Sequence, residues 1–394
     1  MLVLGAAGAV GTAVLRVAAA HAGAGALRAL GARWLAVDLA GPPTTGLDAT
    51  RWLPAASVTL DGLSALLHQH RPTHVINLAS LDTIEAARRC DDAGASYIDT
   101  GIEGSESRTG PRAEVWLDAR ASTRWRGAHL VGAGMNPGVV NALLAVLLAE
   151  EREAHGADAH AGVALFTEHD ETTPSTPLKA GRLGTTWNAR DLVAELTEFP
   201  SFTVADGVRQ DLPHRALDRS YEAHVADTPV EGWLVPHDEL ITLGRRYPGL
   251  RLGYLYRPCA STRAVMTPAA ADTPGLGTSL AVGAARLCPP HDPMPGGRSQ
   301  LGLLRERAGA PRTWRGWSHE AAEVRPLGTS PVPFQVAAGV LAAVQLLGPE
   351  SPAGMWTVEE LDARGFLRVA EGYLGPHRRV EVHPLPLPSP LAAL

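Results

Sequence analysis

The sequence predicts an α/β fold in which a doubly wound parallel sheet is followed by a second, α+β domain. Three observations lead there. At 394 residues the chain exceeds what one hydrophobic core fills. Over residues 1–150 short apolar runs alternate with helical patterns, as crossover connections in a parallel sheet require. A glycine-rich turn separates the first apolar run from the first helix.

Taken in order, strands are expected at Leu2–Leu4, Trp34–Val37, His74–Leu78, Ser96–Ile98 and His129–Val131. Helices are expected at Val10–Ala20, Leu60–His70, Thr83–Ala93, Ala113–Arg120 and Val139–Glu151. Together these make residues 1–155 a Rossmann-type dinucleotide-binding domain. From Gly156 the texture changes to Thr-, Pro- and His-rich segments, and residues 156–333 are assigned to an α+β substrate domain. Within it Cys288–Gly297 is a turn-dense loop. Residues 334–394 supply helices at Phe334–Leu347 and Thr357–Tyr373, with Thr357 as the expected N-cap, returning to the first domain ahead of an extended tail.

A net charge of -6 with no dense Lys/Arg stripe gives no reason to expect a nucleic-acid partner. No apolar run approaches the ~18 residues that span a bilayer, so a small-molecule substrate is expected rather than a membrane partner. Cys90, Cys259 and Cys288 are too few and too scattered for a disulfide framework or a zinc site, which favours a reducing, cytoplasmic setting. The start MLVLGAAGAVG is apolar but lacks the charged region and cleavage site of a signal peptide.

Gly5, Gly8 and Gly11 follow the first strand and open the first helix, where a Cβ would block a pyrophosphate. Ala9 and Val10 begin that helix, whose free N–H groups suit the anion. Glycines also crowd helix starts for packing reasons, so context decides. Asp38, ending the second strand, is placed to bond ribose hydroxyls and repel a 2′-phosphate, which selects NAD over NADP. Asn77, Ser80, Asp99 and Thr100 follow later strands at the edge that borders a ligand crevice, although the same residue types are common in turns.

Several motifs resemble bacterial homospermidine synthase, of the saccharopine-dehydrogenase-like superfamily. They are the glycine turn, Tyr97-Ile98-Asp99-Thr100-Gly101-Ile102-Glu103, Gly134-Met135-Asn136-Pro137-Gly138, Thr167-Glu168-His169-Asp170 and Thr186-Trp187-Asn188. Gly232 to Glu239, Tyr256-Arg257-Pro258-Cys259, Glu360-Leu361-Asp362 and Tyr373-Leu374-Gly375-Pro376 extend the likeness over most of the chain. The resemblance implies a homodimer that uses bound NAD to oxidise putrescine to an imine. A second amine then displaces ammonia, and the same cofactor returns the hydride. The chain departs from the family pattern at Gly101, where a cysteine is expected, at Asn188, and at Asp238 between His237 and Glu239. It is also shorter, and these departures bear on substrate identity.

A cationic amine needs carboxylates and an aromatic face to hold it and a base to take its proton. Glu168, Trp187 and Glu195 match the family's positions for this, with Glu239 expected as a further catalytic residue and Glu103 and Asn136 expected to contact substrate. Taken alone, Trp187 also reads as a core aromatic and Glu195 as a solvated helix residue. His237 is the candidate acid/base because imidazole titrates near neutrality, with a surface histidine as the plain alternative. No third ligand accompanies the Glu168–His169–Asp170 run, so no metal is expected. Lys179, the only lysine, is a weak Schiff-base candidate. Two other readings remain: a saccharopine- or carboxynorspermidine-dehydrogenase-like enzyme needing an arginine clamp, for which Arg298, Arg305 and Arg315 are available, and a non-catalytic NAD-binding protein.

Overall fold

The computed structural model describes residues 1–21, 33–39, 50–54, 58–104, 112–156, 161–174, 183–185, 188–197, 199–270, 285–287, 296–383 and 385–392. Its strands in chain order are β1 (Leu2–Leu4), β2 (Trp34–Asp38), β3 (Thr50–Pro54), β4 (His74–Asn77), β5 (Ser96–Asp99), β6 (Ala128–Leu130), β7 (Gly162–Asp170), β8 (Leu183–Thr185) and β9 (Phe202–Ala205). They continue with β10 (Val208–Asp211), β11 (Ser220–Val225), β12 (Thr228–Leu234), β13 (Leu250–Arg257), β14 (Ala285–Leu287), β15 (Arg298–Glu306), β16 (Thr313–Glu320), β17 (Gly354–Trp356) and β18 (Arg378–Glu381).

The first sheet runs β17-β6-β5-β4-β1-β2-β3, and its pairs are parallel. Without β17 this is the order of a doubly wound nucleotide-binding sheet, whose chain direction switches between β1 and β4. Helices Ala9–Ala20, Leu60–His70, Thr83–Asp92 and Arg112–Ala121 lie in its crossover connections, and Val139–His155 leads from β6 to the second sheet. Leu2, Val3 and Leu4 are fully buried, as a central parallel strand covered on both faces demands. Two strands carry no sequence signal of their own. β3 ends in Pro54, which reads against a strand yet is tolerated at a sheet edge. β17 is three residues long and exists because Gly354–Trp356 pairs with Ala128–Leu130.

The second sheet runs β10-β9-β13-β7-β15-β16-β18, with the β11–β12 hairpin attached to β13. β7 and β13 are parallel, and β15 lies antiparallel to β7. Along β7, Ala164 and Phe166 join the core shared with the first sheet, whereas Val163 and Leu165 join a second core. The period of two then puts Glu168 with Phe166, facing the first sheet, and His169 on the reverse face. β13 alternates likewise: Leu252, Tyr254 and Tyr256 face the shared core and Leu255 the other.

Helix Pro331–Leu346 packs on helix Ala9–Ala20, and its Gly339 lies so close to the 134–138 loop that a Cβ would stand 2.0 Å from the Gly134 carbonyl oxygen. The helix expected from Thr357 is instead broken in two. Thr357 caps only a 3-10 turn at Val358–Glu360, and the α-helix Ala363–Leu374 begins after Asp362, whose carboxylate accepts the Gly365 N–H at 2.8 Å. Leu361, at φ -93° and ψ -131°, separates them. The tail carries no regular element over its described residues 385–392, and Leu391 is buried in the second core. Residues 288–295 of the turn-dense loop lie outside the described residues.

Candidate active site

The carboxyl ends of β1, β4, β5 and β6 and the carboxyl ends of β7 and β13 face each other across a cleft of about 490 Å³. On the first side, Gly5 leaves β1 at φ +76°, and a Cβ there would stand 2.4 Å from the Leu78 carbonyl oxygen. Glycine is required by conformation and by space. At Gly11 a Cβ would meet the Gly5 carbonyl oxygen at 2.3 Å, so this residue lets helix and turn approach. Gly8 differs, since its nearest neighbour would be the Gly5 carbonyl oxygen at 3.3 Å and its open side is the cleft. Helix Ala9–Ala20 has no side-chain cap and no acidic residue in its first turn. Ala9, Val10 and Gly11 therefore present its positive end to the cleft, a cradle that fits the pyrophosphate of a dinucleotide. Asp38 is set back from the wall and ties the turn to β2 by accepting the Ala7 N–H at 2.9 Å.

Asn77, Ser80, Asp99, Thr100 and Glu103 all line the cleft. The side chains of Asn77 and Asp99, however, are turned to internal partners. Asn77 Nδ2 donates to the Tyr97 hydroxyl at 2.9 Å and the Leu81 carbonyl at 3.2 Å. Asp99 accepts from the Thr83 hydroxyl at 2.9 Å, the Tyr97 hydroxyl at 3.0 Å and the Gly132 N–H at 2.9 Å. Burial raises the Asp99 carboxyl to about 7 against the pull of those bonds. Such a buried knot fixes the strand ends and loops from which the cleft floor is made.

The second side is acidic. Glu168, at the end of β7, accepts the Tyr254 hydroxyl at 2.7 Å and Asn136 Nδ2 at 3.0 Å. Asn136 also bonds the Tyr254 hydroxyl, so the 134–138 loop and the second sheet meet at one carboxylate. Gly138, at φ +134°, would carry a Cβ only 2.0 Å from the Gly134 carbonyl oxygen, which makes this loop's tight path specific to glycine. Burial lifts the Glu168 carboxyl to about 7, aided by Asp170. Glu195, on helix Ala189–Thr197, lies 3.6 Å from His237 Nε2 and is raised by burial to about 8. His237 Nδ1 faces Glu239 Oε2 at 2.5 Å, and its ring stacks on Tyr254 with centroids 4.3 Å apart and planes 10° from parallel.

These contacts bear on the expected role of His237. Burial opposes its charge, but Glu239 and Glu195 on its two nitrogens prevail and hold the imidazole at about 10. Its charge is thereby favoured at neutral pH, and the cleft carboxyls raised toward neutrality are Asp99, Glu168 and Glu195. Glu239 lies behind His237, buried and off the cleft wall.

Glu103, Asn136, Glu168, Glu195 and His237 thus gather in one cleft with the glycine turn. Trp187 and Lys179 lie outside the described residues, although Asn188, next to Trp187, lines the cleft. Asp238, noted in the sequence only as a departure from the family pattern, also lines it, as do Tyr254, Asp191 and Arg209, which were not singled out by sequence. Tyr254 had one usable signal: it shares a strand face with Leu252 and Tyr256, near a strand's carboxyl end, where a buried hydroxyl needs a partner. The three arginines available for a carboxylate clamp are committed elsewhere. Arg298 pairs with Glu171 at 2.5 Å, Arg305 with Glu151 at 2.9 Å and Arg315 with Glu150 at 3.3 Å.

The chain is an α/β protein with a Rossmann-type sheet and a second, mixed sheet closing its crevice. No protein-family model matches it, and no curated protein sequence does. Solved structures do. The homospermidine synthase of Legionella pneumophila, in complex with NAD, superposes with a TM-score of 0.77 at 18% identity, covering 96% of this chain and 90% of that one. The apo saccharopine dehydrogenase (L-Glu forming) of Saccharomyces cerevisiae superposes at 0.56 and 11% identity, covering 97% and 99%. At such identities the likeness is one of fold.

Proposed function

We propose that this protein is an NAD-dependent enzyme of amine chemistry, which oxidises a putrescine-like amine to an imine, passes it to a second amine and reduces the product again. The observation that carries this reading is the charge of the cleft. Glu103, Asp191 and Asp238 line it with Asp99, Glu168 and Glu195, three carboxyls that gain their charge as pH passes 7–8, against Arg209 and the His237 cation. Such a wall attracts ammonium groups and disfavours a carboxylate substrate. Arg209, the one arginine among the described lining residues, is paired with Asp211.

When bound, the nicotinamide would take up a hydride and give it back. The chain's own residues have other work. Glu168, with a pKa near neutrality, holds an ammonium when ionised and accepts a proton from the reacting nitrogen. Tyr254 and Asn136 fix its oxygen, and Glu195, raised to about 8, adds a second charge beside it once pH passes that value. His237 offsets part of this negative charge, so that the two glutamates are not left to repel one another. Trp187 is the aromatic that would cover the cation, a contact of roughly 0.5–2 kcal/mol.

Incubation with NAD and putrescine tests the reading: a coupled polyamine with no net NADH is expected. Accumulating NADH would indicate a net dehydrogenase, and neither product a different substrate or a binding protein. The cofactor half is tested separately by calorimetry. Wild type is expected to bind NAD in preference to NADP, and Gly8→Val to lose NAD binding at an unchanged unfolding midpoint, because the side chain grows into the cleft rather than into the fold. Wild-type affinity in Gly8→Val would remove the glycine turn from the site.

A further inference from the structure

On the face of the second sheet that looks away from the cleft, three neighbouring strands set His169, Arg257 and Gln300 in a row. His169 stands opposite Arg257 across β7–β13 and opposite Gln300 across β7–β15. Each has a buried polar atom without a partner: His169 Nδ1, Arg257 Nε and Gln300 Oε1. His169 is 7% exposed and Gln300 2%. Buried polar atoms are nearly always paired, so three unpaired ones at adjacent register positions mark a place built to meet something else.

The surroundings are cationic. Burial, and then Arg257, Arg298 and Arg263 against the pull of Glu171, push the His169 imidazole down to about 4, so the ring is neutral and its Nδ1 is able to donate or accept. Glu171 is taken up by Arg298 at 2.5 Å and stands 3.8 Å from His169 Nε2. Arg257 spends Nη1 on the Glu231 carbonyl at 2.6 Å and Arg263 its Nε on the Pro258 carbonyl at 3.1 Å. Each guanidinium has further N–H groups in a planar fork that matches two oxygens of one anion.

We propose that this row is a binding site for a small oxyanion, a phosphate or a carboxylate, held by Arg257, Arg263 and His169. Gln300 completes it by turning its amide, an isosteric change that presents NH2 in place of oxygen. The site is separate from the cleft: His169 follows Glu168 in the chain but projects from the opposite face of the same strand.

Calorimetric titration with inorganic phosphate and, in a second arm, with acetate at matched ionic strength tests it. Saturable binding of one of them is expected, and the arm that binds names the chemistry. Arg263→Gln and His169→Gln are each expected to weaken it about tenfold, the size of one charge-assisted hydrogen bond. Arg263 sits on a half-buried helix position, so its variant keeps the test valid should His169→Gln not fold. Absence of saturable binding in both arms overturns the proposal. So does binding that survives Arg263→Gln unchanged, which would place the anion at the glycine turn.

Discussion

Glu168→Gln is expected to lower amine turnover by about 10²–10⁴-fold, the usual worth of a positioned base, while leaving NAD affinity near wild type. The amide keeps the shape, and its carbonyl oxygen still accepts from Tyr254 and Asn136, but it neither attracts an ammonium nor takes its proton. The pH behaviour separates this from a structural defect. In wild type kcat/KM is expected to rise through a limb near 7–8, to which the coupled Glu168 and Glu195 carboxyls both contribute. Stability carries the opposite sign. A carboxyl raised from 4.5 to about 7 on folding keeps its proton between those values while the unfolded chain has lost it. Stability therefore falls as pH rises through that window. Glu168→Gln is accordingly expected to unfold at a higher temperature than wild type at pH 8 and at a similar one at pH 4. Full turnover in this variant, or destabilisation at pH 8, would move the base to Glu195.

The parts of this molecule that were legible in the sequence are those specified locally. β1 and its turn announce themselves because three apolar residues run straight into glycines whose Cβ positions are blocked by neighbouring backbone. β3 and β17 have no such signature, being strands only through partners far along the chain. The helix near the carboxyl end shows the same limit at smaller scale. Thr357 and Asp362 are both good caps by type, and which of them starts the α-helix is decided by the backbone of Leu361. At the site, Glu168 and Glu195 stood out through a resemblance and His237 through the usual titration range of imidazole, but the protonation of the three did not. It depends on burial and on charges from three separate segments, none of which sequence spacing reports. Asn77 and Asp99 were read as polar groups at strand ends. That they serve a buried knot follows from Tyr97 and Thr83 lying within hydrogen-bond reach.

The second large effect is expected at Glu239, which never touches the cleft. Its side chain is fully buried, Oε2 meets His237 Nδ1 at 2.5 Å, and Oε1 has no partner. Glu239→Leu removes one half of a buried ion pair and leaves the imidazole with Glu195 alone at 3.6 Å, a change expected to cost about 3–5 kcal/mol in denaturant unfolding at pH 7. His237 supplies the diagnostic. Its pKa rises from 6.5 unfolded to about 10 folded, so its stabilising contribution is complete below 6.5 and is lost as pH rises through 10. The cost of Glu239→Leu should shrink accordingly between pH 7 and 10. Replacing both residues, as Glu239→Leu with His237→Leu, leaves no orphaned charge and is expected to recover part of the loss. Equal costs at the two pH values, or a double variant no better than the sum of the singles, would mean that Glu239 fills space rather than holding a cation. Where the pair is intact, His237 is charged at every physiological pH. Its task in the proposed reaction is then to balance the carboxylates and wall the pocket against Tyr254, which leaves Glu168 and Glu195 as the groups proposed to exchange a proton with the amine.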